Sequence, residues 1–311
     1  MELSIAQHVF SNYFDDAQVI DYSVVNNGLI NKTYKLDTSQ GIYILQEINQ
    51  KVFNEPELAL ENIKRVSIWL KEHEFNYAFP TPIHFTYKFF FDKLWRLLPY
   101  INATSYNEIK NKKMVSNATV CIADFYRVLD QFPVQDLHVT IPHFHHGQYY
   151  IDEFHKALNH CSSERKSQAT QEINHIKSAV DELVYFDEVV RQLPNRVVHF
   201  DTKISNFLFD EDFNVKALID LDTLMPGSIL SDVGDMIRTY SNKLGEESTD
   251  FDRIKADPET VETIVESILQ HTQLTDLEKN HLFFAGKAIT LMQSIRFLTD
   301  FLKGDVYYAI N

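Results

Sequence analysis

The sequence is poor in cysteine and glycine. Its 311 residues include two cysteines, Cys121 and Cys161, without a Cys-x-x-Cys spacing. This favours two reduced thiols over a disulfide framework or a cysteine-based metal site. Only 8 glycines accompany 23 phenylalanines, and 44% of all residues are hydrophobic. That composition excludes a fibrous or low-complexity chain and is typical of a packed globular protein.

Positive charge is also scarce. Lys and Arg total 29 against 44 Asp and Glu, a formal net charge of -15. Such a surface repels phosphate backbones and anionic lipids on average, so we expect no nucleic-acid and no membrane partner. No window approaches the roughly 18 to 20 apolar residues of a membrane span. The N-terminal stretch lacks a basic region followed by an apolar run, and we therefore expect a cytoplasmic protein.

The first hundred residues alternate strand and turn signals. Residues 22–50 contain β-rich runs separated by turn-forming clusters at 26–28 and 37–41, which predicts three antiparallel strands. A helix should follow, with Asn54 as N-cap and Pro56 in its first turn. Residues 81–101 then predict a hairpin.

We expect that hairpin to turn near Asp92 and Lys93, and its second strand to end at Pro99. Beyond residue 105 the periodicity becomes mostly helical, with predicted helices at 112–131, 149–160, 165–193, 259–271 and 275–303. The sequence thus predicts an α+β protein with a boundary near residues 100–104, dividing it into 1–100 and a helical 101–311.

One β signal interrupts the helical part. Residues 197–222, "VVHFDTKISNFLFDEDFNVKALIDLD", predict a hairpin of 207–209 and 215–221 with polar residues where its strands begin and end. Asp201 and Asn206 lie in the preceding loop, and Asp220 ends an apolar strand. Brought to one end of the hairpin, these oxygens would form the all-oxygen site that Mg²⁺ prefers.

The same loop offers the other parts of a phosphoryl-transfer site. Asp201 is placed to accept a proton from a hydroxyl, and Lys203 can supply a cation to the transferred group. Any one of these acids is explained as well by an ordinary turn cap. The ordered set His-x-Asp-x-Lys-x-x-Asn followed by Ile-Asp-x-Asp favours chemistry.

The motifs "HFDTKISN" and "LIDLD" resemble the catalytic loop and metal segment of the aminoglycoside and choline kinase group, small-molecule relatives of protein kinases. With "NNGLINKTYKL", "YILQEIN", "IDLDTLMPGSILSDVGDMIR" and "RFLTDFLKGDVYY", the chain is similar to the N-acetylhexosamine 1-kinase branch. The resemblance implies a two-lobed kinase-like fold, ATP and Mg²⁺, and phosphorylation of the C1 hydroxyl of N-acetylglucosamine or N-acetylgalactosamine.

The resemblance also implies a role for each matching residue. Asp201 would be the catalytic base and would contact the acceptor. Asn206 and Asp220 would be the magnesium ligands, and Lys203 a contact of the γ-phosphate. Asp222 ranks below them as a metal ligand, and His199 would orient the loop. The nucleotide would be bound, in lobe 1–100, by Asn27, Gly28, Asn31, Thr33, Gln46 and the hinge residues Pro99 and Tyr100.

Gln46 departs from the kinase pattern, because protein kinases and many aminoglycoside kinases carry a lysine at or near this place. Without it, Lys203 and the metal must neutralise the phosphates. The hexosamine kinase branch shares this glutamine by resemblance. The departure nevertheless keeps open a pseudokinase that binds nucleotide without catalysis.

Arg296 lies inside the apolar arc of the last predicted helix, where a guanidinium needs a partner. An internal ion pair and recognition of a sugar hydroxyl explain it equally well, and the resemblance favours the sugar. In the helical part, Asp232, Asp235 and Arg238 are expected to brace the catalytic loop.

Three further alternatives stay open. His143, His145 and His146 lack metal-ligand spacing and favour a loop over a zinc site. The acceptor could be an aminoglycoside or an amino alcohol, and the polar loops could belong to a purely structural protein. Oligomeric state is not encoded in any pattern found here.

Overall fold

The computed structural model describes residues 1–25, 31–50, 55–244, 248, 250 and 252–306. Its N-terminal part is a five-stranded antiparallel sheet in the order β1-β2-β3-β5-β4. The strands are β1 Val19–Val25, β2 Lys32–Thr38, β3 Gly41–Ile48, β4 Lys88–Phe90 and β5 Lys93–Pro99. β5 is therefore an interior strand, although it is the last of these five strands along the chain.

The turn between β4 and β5 is formed by Phe91 and Asp92, which have φ values of 55° and 56°. Two consecutive left-handed residues match the right-handed twist of the flanking strands. The predicted turn lay one residue later. β5 ends at Pro99, as expected, because proline has no N–H with which to continue the ladder.

Two helices accompany the sheet. α1, Leu3–Ser11, buries Ala6, Val9 and Phe10 in the same cluster as sheet residues. It was not predicted from the sequence. α2, Pro56–Glu72, begins with its proline in the first turn, where the missing N–H leaves no hydrogen bond unmade. Asn54, the predicted N-cap, lies outside the described residues.

The remainder is mostly helical. Its helices are α3 Lys112–Val128, α4 Gly147–His160, α5 Ser163–Gln168, α6 Thr170–Val190, α7 Ile229–Tyr240, α8 Pro258–His271 and α9 Asp276–Lys303. The helix predicted for 165–193 is interrupted at Ala169, which separates α5 from α6. α9 begins with the predicted capping box of Thr275 and Glu278. α7 was not predicted.

Two short antiparallel pairs lie among these helices. β6, Arg196–Val198, pairs with β9, Met225–Gly227. β7, Phe207–Phe209, pairs with β8, Val215–Leu218, which confirms the predicted hairpin. β8 ends three residues earlier than expected, because Asp220 takes a left-handed conformation with φ 64° that cannot continue a strand.

α7 and α9 approach each other closely because each carries a glycine at the crossing. A Cβ on Gly234 would lie 2.6 Å from the carbonyl oxygen of Ala285, and one on Gly286 would collide with Ile237. Without these side chains the two helix backbones come into direct contact. The helix that comes after loop 199–206, the predicted catalytic loop, and the helix that carries Arg296 thus form one packed unit.

The expected fold class is confirmed, since an antiparallel sheet precedes a mostly helical part. No helix within the described part of the chain combines the length and apolar character needed to cross a bilayer.

Candidate active site

The loop after β6 is held by the buried carboxylate of Asp232, on α7. This carboxylate accepts hydrogen bonds from the backbone N–H groups of His199 (3.1 Å) and Phe200 (2.7 Å) and from the hydroxyl of Tyr126 (2.7 Å). Thr202 donates to the Asp232 carbonyl at 2.8 Å. Phe200 has a φ of 67°, which a non-glycine residue adopts at a cost of about 1 kcal/mol. The hydrogen bonds between Asp232 and the loop, which together clamp it, offset that strain.

His199 orients the same loop from within. Its Nε2 lies 3.0 Å from the carbonyl of Ile219, so Nε2 carries the proton. Its Nδ1 then accepts from the Asp201 N–H at 3.3 Å. The fully buried imidazole therefore connects the backbone of the loop to the chain just before Asp220.

Asp201 and Lys203 form an ion pair of 2.9 Å at the partly exposed tip of the loop, where their side chains are 25% and 29% exposed. Burial would raise the pKa of Asp201, but Lys203 holds it below its ordinary value. Burial would lower the pKa of Lys203, but Asp201 and Asp220 raise it above its ordinary value. Both groups are charged near neutral pH.

Asn206 and Asp220 lie beside this pair. The side-chain amide of Asn206 donates to the backbone carbonyl of Asp201 at 2.8 Å, and the backbone carbonyl of Asn206 accepts from the Ile219 N–H at 2.9 Å. Burial, followed by the charges of Asp201 and Asp222, raises the pKa of Asp220 to about 7. Crowded negative charge of this kind is relieved by a divalent cation.

The donor set fits a magnesium ion that is shared with phosphate. The described residues contain no group of three or more His, Cys, Asp and Glu side chains that could hold a metal by themselves. An ion here would depend on one carboxylate, one amide oxygen and oxygens from a nucleotide, which is the usual manner in which proteins hold Mg²⁺.

A second polar cluster joins the sheet to the segment after Asp220. Arg96, on β5, forms a two-pronged ion pair with Asp222, whose Oδ2 lies 2.8 Å from Nη2. Arg96 Nε donates to Gln46 at 2.8 Å, and Gln46 donates to Thr33 at 3.0 Å. Asn31 donates to the same Asp222 oxygen at 2.9 Å. Three of the predicted nucleotide-binding residues therefore share one network.

Arg96 is a residue of this cluster that the sequence analysis did not identify. It lies directly opposite Gln46 in the β3–β5 ladder and is only 3% exposed. Burial would lower its pKa, but Asp222 raises it above the ordinary value. The sequence feature that could have identified Arg96 is its place inside "KLWRLLPYI", a strand that is otherwise apolar at its centre. A buried arginine in such a strand requires a partner.

The predicted hinge follows directly from this strand. Pro99 is the last residue of β5, opposite Tyr43, and the ring of Tyr100 lies 4.9 Å from Lys35 Nζ. The remaining predicted nucleotide contacts, Asn27 and Gly28, lie outside the described residues.

Arg296 lies between two aromatic rings. Its guanidinium carbon is 5.4 Å from the ring centre of Phe144 and 5.5 Å from that of Tyr150, and Nη1 donates to Gln293 at 2.9 Å. No carboxylate among the described residues forms an ion pair with it. Of the two explanations that the sequence left open, an internal ion pair is not formed with any described carboxylate; the partners are an amide and two aromatic rings.

His145 links this arginine to the catalytic loop. Its ring stacks on Phe144 at 4.5 Å and meets Phe200, the neighbour of Asp201, edge-on at 5.4 Å. Its Nδ1 is buried and has no hydrogen-bond partner among the described residues. Burial, followed by the charges of Arg296 and Arg238, lowers the pKa of His145 to about 3. The imidazole is therefore neutral near neutral pH.

The other two histidines of this loop, His143 and His146, make different contacts. His143 stacks on Tyr149 at 4.9 Å, and His146 accepts from the Tyr149 N–H at 3.2 Å as the N-cap of α4. Each position has a separate structural role, in agreement with the expectation of a loop.

The structure thus brings Asp201, Lys203, Asn206 and Asp220 together, and it connects Arg296 to them through aromatic rings. Asp235 pairs with Arg238 at 2.8 Å on the helix that clamps the loop.

Comparison with known proteins adds a family and a fold. The model of a family described as "phosphotransferase enzyme family" matches residues 21–257. This range contains the sheet except for the first two residues of β1, the loop 199–206 and both short strand pairs.

Solved structures share the architecture at low sequence identity. An aminoglycoside 2′-phosphotransferase IIIa mutant in complex with GDP has a TM-score of 0.65 at 12% identity, over 98% of this chain and 92% of that one. An ethanolamine kinase from Plasmodium vivax has a TM-score of 0.60 at 17% identity, over 99% and 83%. A macrolide 2′-phosphotransferase from Brachybacterium faecium has a TM-score of 0.58 at 9% identity, over 97% and 98%.

Proposed function

The chain belongs to the phosphotransferase enzyme family, and we propose that it transfers the γ-phosphate of ATP to a hydroxyl group of a small acceptor. One observation carries this proposal. Asp201, with its pKa held low by Lys203, lies at a partly exposed tip beside Asn206 and Asp220. An ionised carboxylate, a cation and an amide oxygen on one loop, with a second carboxylate just after β8, meet the requirements of phosphoryl transfer.

Each residue then has a defined task. Asp201 orients the acceptor hydroxyl and takes its proton as the new O–P bond forms and the bond to ADP breaks. Lys203 contacts the transferred group. Asn206 and Asp220 would hold a magnesium ion, which would supply positive charge to the phosphates.

For the acceptor we favour an N-acetylhexosamine phosphorylated at its C1 hydroxyl. The five motifs shared with that kinase branch support this choice. So do the guanidinium of Arg296 and the ring of Phe144, which stack on each other next to His145 and Phe200. Neutral hydroxyl and amide groups suit such a donor, and aromatic rings suit the C–H faces of a sugar.

An aminoglycoside or an amino alcohol is the second candidate, because relatives of the fold include an aminoglycoside phosphotransferase and an ethanolamine kinase. The net charge of -15 would attract such cations. Locally, however, Arg296 presents positive charge where a cationic acceptor needs a carboxylate.

A pseudokinase was suggested by Gln46, which leaves the usual lysine position uncharged. Arg96, directly opposite Gln46, does not replace that lysine charge, because the carboxylate of Asp222 already matches it. The evidence against a pseudokinase is the chemical type of the residues around Asp201. The site retains Asp201, Asn206 and Asp220.

Phosphorus NMR on reactions with MgATP would test the function. The acceptors are N-acetylglucosamine, N-acetylgalactosamine, the 1-deoxy analogue of N-acetylglucosamine, ethanolamine and an aminoglycoside. We expect a sugar 1-phosphate from the first two and no product from the 1-deoxy sugar. Product only from a cationic acceptor would refute the sugar assignment.

Thermal unfolding separates the remaining alternatives. Stabilisation by MgATP without any product would support a pseudokinase, since a ligand of the native state raises stability by mass action. The absence of any shift at saturating nucleotide would favour a purely structural protein.

A further inference from the structure

We propose that Arg96 is a positioning residue for phosphoryl transfer: it holds Asp222, and through Asp222 the turn next to Asp220, against the N-terminal sheet. The inference rests on the proposed function, since the orientation of Asp220 matters if it binds the metal of a nucleotide site. The ion pair joins residues 126 positions apart, one on interior strand β5 and one in the short 3-10 turn Leu221–Thr223.

The Asp222 carboxylate accepts three hydrogen bonds from the N-terminal part of the chain. Arg96 donates to both of its oxygens, and Asn31 adds a third hydrogen bond of 2.9 Å. Asn31 is fixed in turn, because its carbonyl accepts from the Asn49 N–H at 2.9 Å. Arg96 and Asp222 are each 3% exposed. With its lone pairs used in this way, Asp222 serves as an anchor and leaves metal binding to Asp220.

Asp220 is held from both sides. Its φ of 64° is unfavourable for a non-glycine residue and persists where the surroundings enforce it. On the preceding side, the Ile219 N–H donates to the Asn206 carbonyl at 2.9 Å. On the following side, the anchor is the Asp222 carboxylate. Loss of that anchor frees the turn and with it the direction of the Asp220 side chain.

Stability alone does not account for the pair. A buried ion pair commonly contributes no more than well-packed apolar side chains of the same volume, because desolvation offsets the attraction. What an arginine adds is geometry: its planar fork binds both carboxylate oxygens at once, which a lysine cannot do. Gln46 fixes that fork by accepting from Nε at 2.8 Å.

A neighbouring contact provides the control. Asn62, on α2, is fully buried and donates to the carbonyls of Leu224 at 2.9 Å and His138 at 2.8 Å. It also ties the N-terminal part to this segment, but it binds the backbone beyond Asp222. Asn62→Ala should therefore lower stability and leave metal affinity unchanged.

The test measures Mn²⁺ binding to the full-length protein in the presence of ADP, by electron paramagnetic resonance. The double variant Arg96→Met/Asp222→Leu removes both charges together and should stay folded. Loss of an outer partner of a metal ligand typically weakens metal affinity about 10- to 100-fold. We expect that loss in the double variant, a similar loss in Arg96→Lys, and ADP affinity without metal within about threefold of the wild type.

A folded double variant that binds Mn²⁺ as tightly as the wild type would overturn the inference. Should the double variant not fold, Arg96→Lys, which keeps the buried charge, decides by the same criterion. Wild-type protein that binds Mn²⁺ with ADP but phosphorylates nothing would refute the proposed activity and leave the positioning role standing. Wild-type protein that binds neither would overturn both.

Discussion

Arg96, on β5, and Arg296, on α9, differ in how their charge is matched. Arg96 is bound by the carboxylate of Asp222 and the amide of Gln46. Arg296 has the amide of Gln293 and two aromatic rings, without an ion pair to a described carboxylate. The first is almost fully buried, and the second is half-buried.

The difference separates a residue that holds the site from one that is available to a ligand. A guanidinium matched by a carboxylate has little left to offer a substrate. A guanidinium whose partners are neutral groups can still interact strongly with an incoming hydroxyl, carbonyl or anion. The predictions below test this distinction, from the largest expected effect to the smallest.

The largest effect is expected at Asp201, the proposed catalytic base. Asp201→Asn should lower turnover about 10²- to 10⁴-fold, because the amide cannot accept the acceptor's proton. Circular dichroism should show a native fold, and MgATP should still raise the melting temperature. Turnover close to the wild-type rate would mean that another residue removes the proton.

Replacement of Arg96 should mainly lower the free energy of unfolding. Arg96→Ala leaves Asp222 buried and unpaired, and we expect the free energy of unfolding to fall by about 3–5 kcal/mol. Urea denaturation measures this. A loss below about 1 kcal/mol would place the pair among weak surface ion pairs and contradict its buried role.

Replacement of Arg296 should instead affect the acceptor. Arg296→Ala removes a charged hydrogen-bond donor, typically about 1.5–3 kcal/mol, so the acceptor KM should rise roughly 10- to 100-fold. The KM for ATP and the urea midpoint should change little. Gln148→Ala, on the exposed side of α4, is a matched control for surface changes. Equal losses of stability in the Arg96 and Arg296 variants would remove the distinction.

The smallest effect concerns the neutral neighbour of Arg296. His145 faces Arg296, Arg238 and Asp201, and its pKa is lowered to about 3 from an ordinary value near 6.5. The unfolded chain therefore binds a proton that the folded protein excludes, and stability falls as pH drops below about 6.5. Between pH 7.5 and 5.5 this should destabilise the protein by about 1 kcal/mol.

His145→Gln removes the titrating group and should flatten this part of the profile. Thermal melts of both proteins at pH 5.5 and 7.5 measure the difference. The same pH dependence in the variant would show that other groups are responsible.

The sequence predicted most of the fold because its elements carry strong local signals. Strand alternation, the capping box of Thr275 and Glu278, and Pro56 each act through neighbouring residues. α7 was missed because Gly234 and the acids Asp232 and Asp235 weaken its helical pattern. Its hydrogen bonds to the catalytic loop and its packing on α9 compensate in the folded protein.

The site could be predicted in part for the same reason. Asp201, Lys203 and Asn206 share one short loop, so their proximity follows from the chain itself. Arg96 and Asp222 meet only through the tertiary structure, as do His145 and Phe200. A single sequence indicates that a buried arginine needs a partner, but it does not identify that partner.

The close crossing of α7 and α9 also limits how acceptor preference can change. The helix that clamps the catalytic loop and the helix that carries Arg296 are spaced by Gly234 and Gly286. Even one methyl group at either glycine would force the two helices apart and so displace Arg296, the proposed acceptor contact, relative to Asp201, the proposed base. New acceptors would then be accommodated by exchanging side chains around Arg296, while the distance between recognition and chemistry stayed constant.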